Sequence, residues 1–512
     1  MYRPLAILAL TILSLSASAQ KKTADPKPYA ATITETDLKS LLYVIAGAEM
    51  EGRETATPGQ RKAAEYIEQR FKSYGLKPGF GDSYQMPFPV YRDSILGSRM
   101  EVDGKPISLN TDFQPIVQMN STATQYFSEV VFVGHGIVDS AYDDYAGVDV
   151  RGKAVLMLEG GPSSYKARQA GMMSPTGTFA KIRNAERKGA AAVLLYGSGF
   201  PRRPMAGNGN MYTRLFKPTQ SPNIYLISDE AASRIADGAW KEWKEKGRKE
   251  QLSARTIRRD VMLDFQKRTE TMTSTNVLGV LEGSDKKDEW LVLTAHYDHL
   301  GKRGNTIYYG ADDDGSGTVG VMEIAEAFAK AKAEGKGPRR SILFMAVSGE
   351  EKGLWGSEYF SENPTMPMEK VTANLNIDMI GRVDTERTKP DTLNYVYVVG
   401  DDKISTDLKP ISESVNSKNL KMTLDYKFND PNDTERIYFR SDHYNFARKG
   451  VPIIFYYDGM LKADYHKPTD TPDKINYPLL AKRARLVFHT AWEMTNRDEM
   501  LKRDLPLPTL ER

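Results

Sequence analysis

Residues 290–301 read WLVLTAHYDHLG. The first six form a near-continuous apolar run, the texture of a strand covered on both faces rather than of a half-solvated one. The run stops at His296-Tyr297-Asp298, and open α/β sheets carry their ligand sites just beyond the carboxyl ends of strands. The same texture recurs on either side: NVLGVLEG at 276–283, SILFMAVSGEE at 341–351, LNIDMIG at 375–381, YVYVVG at 395–400 and VPIIFYYDG at 451–459. After Gly317, the residues Val321, Ile324, Ala325 and Phe328 fall at the spacing of one buried helical stripe. Strands alternating with helices predict an α/β fold, a mostly parallel mixed sheet sandwiched by helices.

Polar residues gather where these strands end. His296 could ligate a metal, with Asp298 orienting its second nitrogen, although a lone His-x-Asp also suits a satisfied surface histidine. GADDDGSG at 310–317 places three acids in a row. A calcium loop would alternate its acids, which leaves an ion-binding turn or a plain helix cap. Glu350 and Glu351 close a core strand, where paired carboxylates are costly without a positive partner. One could ligate a metal while the other serves as general base. Asp378 sits within an apolar strand, and Asp464-Tyr465-His466 follows the last one. Together, two histidines and three carboxylates suit a two-metal site of nitrogen and oxygen ligands.

The remainder of the chain narrows the class. Its 512 residues suggest two to four domains at roughly 150 residues each. The net charge of +3 gives no field for nucleic acid or a membrane surface. No cysteine is present, so disulfides, thiol nucleophiles and thiolate metal sites are excluded, as is a lipoprotein anchor. Arg3, the apolar run from Leu5 to Leu15, and Ala17-Ser18-Ala19 read as a signal peptide cleaved after Ala19, which predicts a periplasmic or secreted protein with no membrane span once mature. Helices are expected over 36–76, the second starting near Pro58 and ending at Gly75. From about 101 to 259 short β runs dominate, and the basic run 241–259 reads as a solvated helix or linker.

Five motifs, in order, carry a family resemblance: HYDHLG, GADDDGSG, SGEEKGLWGSEYF, NIDMIGR and DYHKPTDTPDKI. Over roughly 274–475 the chain resembles the dizinc aminopeptidase family, which also includes glutamate carboxypeptidases, transferrin receptors and glutaminyl cyclases. MEGRETATPGQRKAAEYIEQRF resembles that family's N-terminal helix region, and 106–260 resembles an inserted, β-rich protease-associated domain. The resemblance implies a discontinuous zinc-peptidase catalytic domain of 20–105 and 261–512. It implies two zinc ions: His296 and Asp378 on one, Glu351 and His466 on the other, Asp313 bridging. Asp298 would hold His296, and the other histidines (His135, His299, His443 and His489) would be structural or peripheral.

The expected activity is removal of N-terminal residues from peptides through a metal-bridging water, with Glu350 as general base and Tyr465 as oxyanion donor. Alternatives are a carboxypeptidase, for which Arg382, Arg436 and Arg440 could hold a carboxylate, and a non-catalytic receptor-like protein. Glutaminyl cyclisation fits poorly, since such relatives generally lack the inserted domain. That domain is expected to cover the site's mouth, to help select substrate or to join two copies as a homodimer.

Overall fold

The computed structural model describes residues 24–507 apart from 141, 168–173, 202–204, 206 and 217–220. The expected signal peptide lies outside the described residues. The described residues form two compact units, one within 24–86 and 275–507 and one within 87–274. The insertion is therefore wider at both ends than 106–260. Its entry and exit run through long strands, Gln85–Val102 and Arg255–Leu281, whose inner portions pair with strands of the insertion.

In the first unit the strand Lys286–His296 lies between Arg340–Val347 and Val371–Ile377, parallel to both. Ile453–Tyr457 continues the parallel set beside Val371–Ile377. Tyr395–Val399 then joins antiparallel, with Thr423–Asp425 parallel to it at the edge. On the other side residues 277–281 run antiparallel to Arg340–Val347, with Lys77–Pro78 antiparallel beyond them. The sheet is mixed and mostly parallel.

Because strand side chains alternate in direction, consecutive apolar residues feed two cores. Leu291, Leu293 and Ala295 join the helices Glu35–Ile45, Pro58–Ser73, Gly317–Ala333 and Tyr477–Asn496. Val292, Leu343 and Met345 join Phe360 and Phe446 on the opposite face. Each fully buried Val, Leu or Ile contributes roughly 1.5–3 kcal/mol, which is why these strands are apolar throughout. The polar exceptions are paired: Thr294 Oγ1 donates to Asn376 Oδ1 at 2.6 Å, and Asn376 Nδ2 to Ser441 Oγ at 2.9 Å. Unpaired, each group would cost roughly 1–3 kcal/mol, so the pairs also fix register.

The strands of the second unit continue the same hydrogen-bonded ladder through Arg255–Leu281, which pairs antiparallel with Ala123–Phe132. Ala123–Phe132, Ala154–Leu158, Ala192–Tyr196 and Asn223–Ile227 run parallel in that order, with Phe113–Pro115 antiparallel at one edge. Among the described residues the helices Thr178–Arg187, Asp229–Ala236 and Trp240–Gly247 accompany these strands. The basic run is in part the last of these, with Trp240 and Trp243 buried beneath its charged face. Among the described residues, no helix is long and apolar enough to cross a membrane.

Candidate metal centre

The carboxyl ends of the first unit's parallel strands bring together side chains that are far apart in sequence. His296 ends its strand fully buried, and its Nε2 stands 3.3 Å from Asp313 Oδ1, 3.5 Å from Asp378 Oδ1 and 3.8 Å from Glu350 Oε2. A second group lies beside it. His466 Nε2 is 3.2 Å from Asp313 Oδ2 and 3.0 Å from Glu351 Oε2. Asp313 thus turns one oxygen to each group.

The hydrogen bonds distinguish the three consecutive acids. Asp314 Oδ1 accepts the amides of Gly317 at 2.8 Å and Met379 at 3.0 Å, and its Oδ2 accepts the His296 amide at 3.1 Å. Asp312 Oδ1 accepts the Gly381 amide at 2.8 Å. These two carboxylates lash the loop to the backbone around Asp378, and only Asp313 is left facing the histidines. The amides of Asp312 and Asp313 are held in turn by Asp470.

Asp298 differs from expectation in detail. Its backbone oxygen, not its carboxylate, is nearest to His296 Nδ1, at 3.1 Å against 3.8 Å. The carboxylate instead accepts Thr55 Oγ1 at 2.7 Å and the Glu350 amide at 3.2 Å. It therefore ties the end of one strand to the loop bearing Glu350.

Reading the sequence missed the upstream support. Arg53 is fully buried and donates to the carbonyl oxygens of Tyr297 at 2.7 Å, Tyr309 at 2.8 Å and Gly310 at 2.9 Å, clamping both loops that carry His296 and Asp313. Burial lowers its pKa to about 10, against the pull of Asp298 and Asp470, so it remains cationic at neutral pH. The residue before it is Gly52, at φ 69°, where a Cβ would collide with the carbonyl oxygens of Gly301 and Tyr308. The Gly52-Arg53 pair was the available signal.

His299 departs furthest from expectation. Rather than lying at the periphery it is fully buried in the second group, with Nδ1 2.7 Å from Glu351 Oε1 and 3.9 Å from Asp313 Oδ2. The spacing of His296 and His299 immediately past a strand end was the clue. The remaining histidines have other surroundings. His135 faces carbonyl oxygens of Glu159 and Gly247, His443 faces that of Tyr438, and His489 is buried on the last helix.

The charges are strongly coupled. Burial alone would lower the His296 pKa, but Glu350 and Asp378 raise it well above the ordinary value. His466 is raised to about 10 against its own desolvation, by contacts with Asp313 and Glu351. Burial, reinforced by Asp378 and Glu351, drives Glu350 well upward, whereas the histidines pull Asp313 well below the carboxylate range. A cluster of this kind trades protons for a divalent cation. Its atoms fit one: Asp313 Oδ2, Glu351 Oε1 and both ring nitrogens of His299 are buried without a hydrogen bond. Carboxylate and imidazole donors with no thiolate suit zinc.

Tyr465 stacks on the His466 ring at 3.9 Å between centroids and 19° between planes. Burial raises its pKa, keeping the phenol protonated and able to donate. Arg440 Nη2 donates to Tyr465 Oη at 3.4 Å. Arg382 is committed to Asp464 at 3.0 Å.

Residues 276–491 match peptidase family M28. The chain is 32% identical over 215 residues to a probable leucine aminopeptidase of Arthroderma otae, covering 41% of this chain and 55% of that protein. It is 29% identical over 351 residues to a probable glutamate carboxypeptidase of Arabidopsis thaliana, covering 61% and 47%. The chain thus spans about half the length of these curated relatives. Its fold is that of the aminopeptidase from Aneurinibacillus sp. strain AM-1, with a TM-score of 0.54 at 18% identity over 95% of this chain and 99% of that one. By its motifs and this arrangement of side chains, the 276–491 segment belongs to peptidase family M28.

Proposed function

We propose that this protein is an exported dizinc aminopeptidase that removes N-terminal residues from peptides. The observation that carries the reading is Asp313, one carboxylate with an oxygen directed to each of two donor groups. His296 and Asp378 would hold one ion, Glu351 and His466 the other, with Asp313 between them. Two zinc ions supply electrophilic polarisation of the scissile carbonyl and acidification of water.

The chain's own residues do the rest. Glu350 takes the proton of the attacking water and returns it to the leaving amine. Its Oε2 stands 3.8 Å from His296 Nε2, so no tight hydrogen bond there occupies it. Asp298 holds its backbone, and Thr55 fixes Asp298. Tyr465 donates its phenolic proton as a hydrogen bond to the developing oxyanion. Tyr465→Phe is expected to lower kcat by about 10²–10³-fold with little change in KM, the cost of one oxyanion donor. Unchanged kcat in steady-state assays would move that role elsewhere.

Arg440 favours a second reading, a carboxypeptidase, because a cation beside Tyr465 could receive a substrate carboxylate. One experiment separates the two. A free peptide and its N-acetylated twin are incubated with zinc-loaded protein and followed by mass spectrometry, which also reads whether the exported enzyme begins at Gln20. Stepwise loss from the free N-terminus alone is the expected result. Loss from the C-terminus of both peptides would replace the aminopeptidase reading, and no cleavage of either would defeat both. The 87–274 unit is proposed to be the protease-associated-like insertion, acting in substrate selection.

A further inference from the structure

We propose that Asp464 is a positioning residue for the second ion: it fixes the turn that presents His466 and so sets where that imidazole stands. The inference rests on the two-metal reading above and adds to it a residue that ligates nothing.

His466 is the ligand least held by packing. Its side chain is 37% exposed, against 11% or less for His296, Asp313, Glu351 and Asp378. The ring stacked on it belongs to Tyr465, which moves with the same turn. Its backbone is also strained. The Lys467 amide donates to the Asp464 carbonyl at 2.9 Å, closing a four-residue turn with His466 in third position at φ 56°. A positive φ there favours glycine. A residue with a Cβ stays in that conformation only where its surroundings over-determine it.

Two carboxylates do so, one on each side of the ligand. Asp470 Oδ2 accepts the amides of Asp312 at 3.0 Å and Asp313 at 3.1 Å, tying the far side to the loop of the bridging acid. Asp464 holds the near side. Its Oδ1 accepts Thr469 Oγ1 at 2.5 Å and Lys474 Nζ at 2.8 Å, and its Oδ2 accepts Arg382 Nη2 at 3.0 Å. Arg382 follows Asp378 by four residues, so this ion pair joins the His466 turn to the segment that carries a ligand of the first ion.

The tie acts in one direction. The Arg382 backbone is held without Asp464: its amide donates to Asp458 Oδ2 at 2.7 Å, and its carbonyl accepts Arg483 Nη1 at 2.7 Å. Removing Asp464 therefore frees the His466 turn and leaves Asp378 in place. The competing account gives Asp464 a stabilising role only. Its loss would then lower the folded population without altering either metal site in the molecules that remain folded.

Zinc competition against a chelator separates the two accounts without relying on turnover. In Asp464→Ala one ion should be weakened by about 10–100-fold, the usual cost of losing an outer partner, while the other keeps its affinity. In a His466→Ala background the same substitution should cost no further affinity, because Asp464 acts only through that ring. Lys474→Met removes one donor at a partly exposed position and should shift the same ion in the same direction by less, which keeps the test open if the alanine variant fails to fold. A lower melting temperature of the metal-free variants with both affinities unchanged would overturn the proposal. Equal weakening of both ions, or further loss in the His466→Ala background, would do the same. The unsubstituted protein keeps the failures apart. If it binds fewer than two ions, the two-metal reading falls and this role with it, whereas two ions bound alike by parent and variants remove Asp464 alone.

Discussion

Glu350→Gln lowers kcat by about 10²–10⁴-fold, the range that a positioned general base contributes, while the protein retains both metal ions. At 1.36 kcal/mol per decade this is about 3–5 kcal/mol of the barrier. The substitution is nearly isosteric and leaves the backbone amide that Asp298 holds, so positioning survives and only proton acceptance is lost. Steady-state kinetics read the first half and elemental analysis the second. Activity within tenfold of the unsubstituted enzyme would remove Glu350 as the base. Loss of an ion would make it a ligand, which its place in the cluster with His296 and Asp378 allows. Metal-free stability adds an independent sign. A carboxyl whose folded pKa is raised costs stability at any pH above its unfolded value, about 4.3. The metal-free Gln variant should therefore melt no lower than its parent at pH 7.

The fold was legible because its strands are buried on both faces. Runs such as Leu291 to Ala295 leave no solvated side, and this excludes most architectures except a helix-covered sheet. The boundaries of the insertion were less legible. Residues 255–281 form one uninterrupted strand, so no turn signal marks where one unit hands over to the other. The edge strand Thr423–Asp425 is too short to have a period.

Within the site, ligand-type residues at strand ends could be read because chemistry confines them to few positions. What fixes those residues was harder to see. Arg53 works through backbone carbonyl oxygens, which are contributed by residues of any identity, and no pattern records such a partner. Asp298 reaches His296 with its carbonyl for the same reason. His299 was obscured by its neighbour: two histidines three residues apart past a strand end can point together or apart, and only the backbone path over 297–300 decides, where His299 bridges to Glu54.

Asp313→Asn should abolish tight binding of both ions, a loss well beyond the roughly 10–100-fold typical of an outer partner, because each oxygen serves a different donor group. An amide offers one oxygen and one N–H, so whichever group meets the nitrogen faces a donor where it had an acceptor. The metal-free sign is opposite to that of Glu350. The histidines hold the Asp313 pKa below its unfolded value, about 3.9, and that stabilisation is present above the unfolded pKa and lost as pH falls through the folded one. The Asn variant should therefore melt lower than its parent at pH 7 even without metal. Asp314→Asn is the decisive control. Its carboxylate is consumed by the amides of His296, Gly317 and Met379, so replacing Oδ2 or Oδ1 by N–H sets donor against donor. It should cost about 1–3 kcal/mol of stability while the folded protein still binds two ions. Metal retention by the Asp313 variant, with loss in the Asp314 variant, would transfer the bridge one residue along.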